Sequence, residues 1–327
     1  MGFPYIYEGR AGKSFRFVMD ADVKDVSTAL VDLGISKTLS ARLRAQGRAS
    51  FDPQTHGLAI DAATEPASVP VRSQASPRIL YEDDFILAAD KPSGLLVHGD
   101  GSANDTLSAR MEAYLEAGEG LLSPQALQRL DVDTTGIVLF SKAVEFQGLF
   151  DALVADHALM QKRYLVLVEG IYPKTHDRID APLARDRHDA RRMRTCPRGQ
   201  GQDALTYVER LALSPDNRFS LLLVTLGTGR RHQIRVHLAS RGFPVVGDVL
   251  YGHDAQTPGL RGGSRRNPTG MRSEGTAESP HPTPLMLHAW RESFTHPITG
   301  EPLVITSPSY ERFESCIPEI DQLLEKL

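Results

Sequence analysis

Residues 253–284 most constrain what this chain can build. Gly, Pro, Ser, Thr and Arg dominate there, and Leu260 and Met271 are the only large aliphatic side chains. So little apolar surface cannot offset the entropy lost on ordering, and the segment reads as a disordered surface insertion. A second such stretch, residues 62–78 (AATEPASVPVRSQASPR), reads as a linker. Folded material is thereby confined to a short module ending at 61, a large block from 79, and a resumption at LMLHAWRESF.

The short module shows two helical patterns, near 24–33 and 37–46, and a strand-like end at Leu58–Ile60. Lys37, Arg42, Arg44 and Arg48 follow one another with no acid between. That is either a solvated face or a helix that contacts phosphates.

In the large block, ILYEDDFILAAD places two apolar runs around an acidic turn, as in a hairpin. A helix is expected over 105–116, capped by Asn104 or Asp105. Strands are expected at 137–142, 162–169, 204–213 and 219–226, and helices near 143–156 and 231–241. Gly242 stands where a helix end favours a left-handed residue, and a short helix at 317–326 closes the chain. Strands and helices do not alternate regularly, which predicts an α+β fold with a mixed, largely antiparallel sheet.

With 41% hydrophobic and 24% charged residues, the chain has an ordinary soluble composition. A formal net charge of -4 does not by itself advertise a nucleic-acid binder. Cys196 and Cys316 stand far apart with no CxxC pair, which excludes a thiolate zinc site and suits a reduced, cytosolic protein. No signal-peptide core or membrane-length apolar run is seen, so the expectation is a cytoplasmic protein with no membrane partner. A monomer is the default.

Four segments carry candidate chemistry. Asp131 lies in Gln128-Arg129-Leu130-Asp131-Val132-Asp133-Thr134-Thr135-Gly136, just before the apolar run IVLF. A carboxylate there is either an exposed reactive group or a turn cap. Gly227-Thr228-Gly229-Arg230-Arg231-His232-Gln233-Ile234-Arg235-Val236-His237 follows a strand and opens a helix. Its glycines and free N–H groups suit an anion, yet it lacks the ending of a Walker loop. Its two histidines do not have metal spacing, so no metal is expected. Residues 184–198 hold six arginines against two aspartates, a loop suited to a phosphate backbone or simply to water. Lys162-Arg163-Tyr164 opens a strand, where a tyrosine is usually a packing residue.

Taken in order, these segments resemble the RluA-like family of RNA pseudouridine synthases. Lys91-Pro92-Ser93-Gly94 with Val97-His98 is similar to an early family signature, and Arg129-Leu130-Asp131 with Thr134-Thr135-Gly136 resembles its catalytic motif. Lys162-x-Tyr164, the Gly229–His237 run, Gly247-Asp248 with Tyr251-Gly252, Leu287-His288-Ala289 and His296-Pro297 with Thr299-Gly300-Glu301 complete the match over about 79–308. Residues 16–61 resemble an S4 RNA-binding module, worn by substitution. Gln128 stands where the family often has His, Thr135 where it usually has Ser, and the 253–284 insertion is unusual.

The resemblance implies isomerisation of uridine to pseudouridine, in ribosomal RNA or else transfer RNA, without metal, redox cofactor or group donor. It implies Asp131 as nucleophile, an ion pair from Arg235 to Asp131, and Tyr164 against the target uracil. Arg129 would help displace the base, with Gln128, Lys91, Arg230, His232 and Gln233 also contacting substrate. The expected organisation is an S4-like module at 1–61, a linker at 62–78, a catalytic domain at 79–310 and a terminal helix at 311–327. The competing reading is a non-catalytic RNA-binding protein on the same scaffold. A hydrolase using Asp131 and Asp133 as paired carboxylates ranks third, because a 7% aromatic content leaves few platforms for sugar stacking.

Overall fold

The computed structural model describes residues 3–63, 76–99, 105–118, 123–252 and 284–327. The expected insertion, Pro284 apart, and positions 64–75 of the expected linker lie outside the described residues. The chain divides into two compact units. One holds Met1–Tyr164 and His288–Tyr310, the other Leu165–Leu287 and Glu311–Leu327. The 62–78 segment is therefore not where the compact units part.

The first unit opens with β1 (Tyr5–Ala11), β2 (Ser14–Met19), α1 (Val26–Asp32), α2 (Lys37–Ala45), β3 (Ala49–Asp52) and β4 (Gly57–Asp61). The strands form an antiparallel sheet in the order β1-β2-β4-β3. Asp25 caps α1 by accepting from the backbone N–H of Ser27 and Thr28, and Ser36 caps α2 at Leu39. The β1–β2 hairpin adds to the two helices and strand end expected from the sequence. It has a packing logic: Phe15, Phe17 and Met19 alternate inward and are buried. Phe15 lies 5.2 Å from Phe85 and 4.8 Å from Phe146 between ring centroids. The Tyr7 hydroxyl donates to Asp84 at 2.9 Å, and Arg48 pairs with buried Glu145. The N-terminal sheet thus shares one hydrophobic core with residues 85–160.

The later elements are β5 (Arg78–Glu82), β6 (Ile86–Lys91), α3 (Leu107–Gly118), β7 (Gln125–Ala126), β8 (Thr135–Ser141), α4 (Gln147–Ala155) and β9 (Met160–Glu169). They continue through β10 (His176–Asp180), β11 (Leu183–Arg185), β12 (Met193–Thr195), β13 (Leu205–Leu213), β14 (Phe219–Leu226) and α5 (Gln233–Ser240). Last come β15 (Leu287–Thr295), β16 (Pro302–Thr306) and α6 (Ile320–Leu324). In the first unit β5, β6 and β8 pair antiparallel in turn, β15 runs parallel to β8 and β16 antiparallel to β15. In the second, β13 lies between β10 and β14, all antiparallel, and β11 pairs with β12. The mixed, largely antiparallel α+β expectation holds. No helix among the described residues is long and apolar enough to cross a membrane.

At the start of helix α3, Asp105 and Thr106 are described. Thr106 Oγ1 accepts from the Ala109 N–H, while Asp105 binds the Arg110 guanidinium and Asn104 lies outside the described residues. Gly242 has φ +84°, the left-handed value that stops α5.

Candidate active site

Asp131 sits, half-buried, in the turn that feeds β8, and its carbonyl accepts from the Thr134 N–H at 3.1 Å. The turn is clamped from the end of β6. Lys91 is 1% exposed, and its ammonium donates to the carbonyls of Pro92, Leu95 and Val132 at 2.9, 2.7 and 2.7 Å. A buried ammonium spent on three carbonyls satisfies its desolvation locally. The Lys91 ammonium therefore fixes the turn. Beyond the turn, Gly136 has φ +107°, and a Cβ there would lie 2.2 Å from the Ala289 carbonyl oxygen. Thr135 Oγ1 hydrogen-bonds His288 Nδ1 at 2.8 Å in the same dry layer.

Tyr164, on β9, is 7% exposed. Burial pushes its phenol well above the usual value, and the carboxylates of Glu292 and Asp131 push the same way. Asp131 and Tyr164 are thus brought within electrostatic reach of one another. Gln128 is half-buried and donates from Nε2 to Glu292 Oε1 at 2.5 Å. Glu292 is itself buried, and that burial lifts its carboxyl to about 7 against the opposing charge of Lys162. Burial lowers the Lys162 ammonium in turn. Arg129 is exposed, and its charge reaches His98, where burial is the larger cause of a lowered pKa.

The remaining expected site residues belong to the second unit. Arg235, near the start of α5, grips Asp248 with both Nε and Nη2, at 2.7 and 2.8 Å, and the pair is buried. Asp248 also accepts from the backbone N–H of Leu250 and Tyr251, and the Arg235 guanidinium lies over the Tyr251 ring. The expected partner of Arg235 was Asp131, a residue of the other unit; inside its own unit its carboxylate partner is Asp248. His232 Nδ1 meets the Tyr251 hydroxyl at 2.8 Å, with His232 in the left-handed region at φ 55°. Gln233 is buried. Its amide donates to the Leu205 carbonyl and Thr206 Oγ1, and its carbonyl accepts from Thr228 Oγ1 and the Arg230 N–H. Gln233 therefore braces the start of α5. Arg230 and Arg231 are exposed.

Sequence reading assigned no role to Asp248 or Glu292. Asp248 carried a signal in its motif with Gly247 and Tyr251. Glu292 carried another: it shares a strand face with Trp290 and Phe294, so an acid points where apolar residues point. Removing one partner of a buried, bidentate ion pair strands the other charge. Asp248→Ala is accordingly expected to lower unfolding stability by about 3–5 kcal/mol in urea titration. A loss below about 1 kcal/mol, the scale of an exposed pair, would show that the pair is solvated in solution.

The first unit thus brings a half-buried carboxylate in a clamped turn within electrostatic reach of a buried phenol, on a mixed sheet. The family model described as RNA pseudouridylate synthase matches residues 85–240. Ribosomal large subunit pseudouridine synthase D of Nitrosomonas europaea is 36% identical over 71% of this chain and 61% of its own length. The protein of that name from Xanthomonas campestris pv. campestris is 34% identical over 83% of this chain and 73% of its own. Among solved structures, human RNA pseudouridylate synthase domain containing 1 aligns with TM-score 0.54 at 22% identity, over 80% of this chain and 98% of that one. That likeness speaks for the fold. The chain belongs to the RluA-like family of RNA pseudouridine synthases.

Proposed function

We propose that this protein isomerises specific uridines to pseudouridine in RNA, ribosomal RNA first and transfer RNA second, with Asp131 as nucleophile. The observation that carries this reading is the clamped Asp131 turn beside Tyr164, in a chain whose relatives are named ribosomal large subunit pseudouridine synthases. The bond from ribose C1′ to uracil N1 breaks, the base turns, C1′ bonds to C5, and a proton leaves C5 as one is gained at N1. Nothing is oxidised or transferred away, so no cofactor is required. A carboxylate suits the first step because it can trap or stabilise a developing sugar cation.

Tyr164 fits a stacking role best. A phenol whose pKa is pushed up remains neutral near pH 7, and must lose its own proton before it can take one from C5. Arg235 completes the catalytic set, and the grip of Asp248 supports this by fixing its guanidinium plane. Arg129, exposed beside the turn, would fill the space a flipped base leaves, with Gln128, Arg230 and His232 as further substrate contacts.

Exposed Lys37, Arg42 and Arg44 on α2 support an RNA-binding role for the N-terminal module, and exposed Arg185, Arg187 and Arg191 support one for the basic loop. Arg48 is occupied by Asp61 and Glu145 and is left out of this set. With several such contacts on single-stranded RNA, affinity is expected to fall roughly 10²-fold between about 50 and 200 mM salt. An affinity indifferent to salt in a filter-binding titration would remove the phosphate contacts from the proposal. We assign the protein to the cytoplasm, acting as a monomer.

The deciding experiment incubates the protein with total uridine-containing RNA, without cofactors, and maps pseudouridine by carbodiimide labelling. New sites establish the reaction and name the target. RNA bound by folded protein with no new sites would favour a non-catalytic RNA-binding protein.

A further inference from the structure

Glu292 lies on β15 with Trp290 and Phe294 on the same face, and is 1% exposed. One of its oxygens accepts from Gln128 Nε2 at 2.5 Å; the other, Oε2, is buried with no hydrogen-bond partner among the described residues. A carboxylate so placed costs stability unless it has a task or carries a proton. Its neighbours show what the task is. Gln128 is three residues before Asp131 and also reaches the Ile137 carbonyl, on the strand that the Asp131 turn feeds. Lys162 and Tyr164 of β9 feel the charge of Glu292, and Tyr164 also feels Asp131. The strands paired with β15 in this unit, β8 (TGIVLFS) and β16 (PLVIT), bring no titratable side chain.

We infer that Glu292 is a positioning residue for the isomerisation: by holding the Gln128 carboxamide it fixes the course of Arg129-Leu130-Asp131 and so the aim of the Asp131 carboxylate. This rests on the function proposed above. The hold is strongest when Glu292 is ionised, because a charged acceptor roughly doubles a hydrogen bond. With its carboxyl lifted to about 7, ionisation is complete only above neutrality, and the hold loosens as pH falls through that value. Glu292 also explains how Gln serves at position 128. A carboxamide donates through Nε2 at any pH, so the titrating partner is the acid alone.

The test uses the full chain and the RNA target found by pseudouridine mapping. Glu292→Leu is expected to lower kcat about tenfold to a hundredfold, the scale of a misaimed catalytic group, with KM little changed. Glu292→Gln keeps the shape and a neutral acceptor. It is expected to retain more of the rate and to lack the acid limb expected of the wild type near pH 7. Gln128→Leu should lower kcat by the same factor as Glu292→Leu, with any rise in KM reporting its own substrate contact, and the double variant should lower kcat no further than either, as for two residues acting through one bond. Circular dichroism confirms that each variant is folded. Folded Glu292→Leu with wild-type kcat, or an acid limb unchanged in Glu292→Gln, overturns the inference while leaving the function intact. A wild type that makes no pseudouridine overturns both.

Discussion

Asp131→Asn is expected to reduce pseudouridine formation by on the order of 10⁴-fold or more, the scale seen when the central group of a catalytic unit is removed. The fold should survive, because the turn is held through its backbone carbonyls. Its backbone is held by Thr134 N–H on the Asp131 carbonyl and by Lys91 and Gly94 on the Val132 carbonyl. Asn has the same shape, so the effect isolates the loss of a charged nucleophile. RNA affinity at fixed salt should stay within about twofold, since phosphate contacts made by lysines and arginines dominate it. A folded Asp131→Asn protein that still modifies RNA at the wild-type rate would remove Asp131 from the mechanism. A variant that loses RNA binding as well would make the residue a substrate contact.

Gly136→Ala carries the second large effect, and it acts on stability. A methyl group there would sit 2.2 Å from the Ala289 carbonyl oxygen, far inside contact distance, and the backbone is at φ +107°, where side chains are strained. Neither neighbour has room to yield. Gly136 pairs with Ala289 in the parallel β8–β15 ladder and with Lys91 in the antiparallel β6–β8 ladder. The expected cost is about 4 kcal/mol or more, which combines backbone strain with a forced break in strand pairing. Guanidinium unfolding of purified variant, or its loss from the soluble fraction, would read this. A change below about 1 kcal/mol, ordinary for a surface site, would mean that the two strands do not close at this position in solution.

Much of the scaffold was legible because its strands are continuous apolar runs: IVLF, YLVLV and LLLVTL lie in β8, β9 and β14. The β5–β6 hairpin was legible from its acidic turn, and the α5 stop from Gly242. The β1–β2 hairpin was missed because Gly9 and Gly12 interrupt a short alternation of Tyr and Phe. In the site, Asp131 and Tyr164 stood out by motif. The partners of Lys91 and Gln233 were not legible, because a polar residue in a glycine-bearing motif looks the same from the sequence whether it faces RNA or buried protein groups. Only its tertiary partners tell the two apart. The partners of Glu292 and Asp248 were hidden for the same reason, although an apolar strand face and a motif marked the two positions.

The aromatic packing of Phe15 and Phe17 on Phe85 and Phe146 has a practical corollary. A catalytic fragment trimmed to begin near residue 79 would expose Phe85 and Phe146 to water and leave Glu145 without the Arg48 guanidinium. Such a fragment is headed for aggregation, not for a smaller working enzyme. Exchanging the N-terminal module for another would likewise require a replacement that brings its own phenylalanines to that seam. Retargeting this protein is thus a problem of re-fitting an interior, not of swapping an appendage.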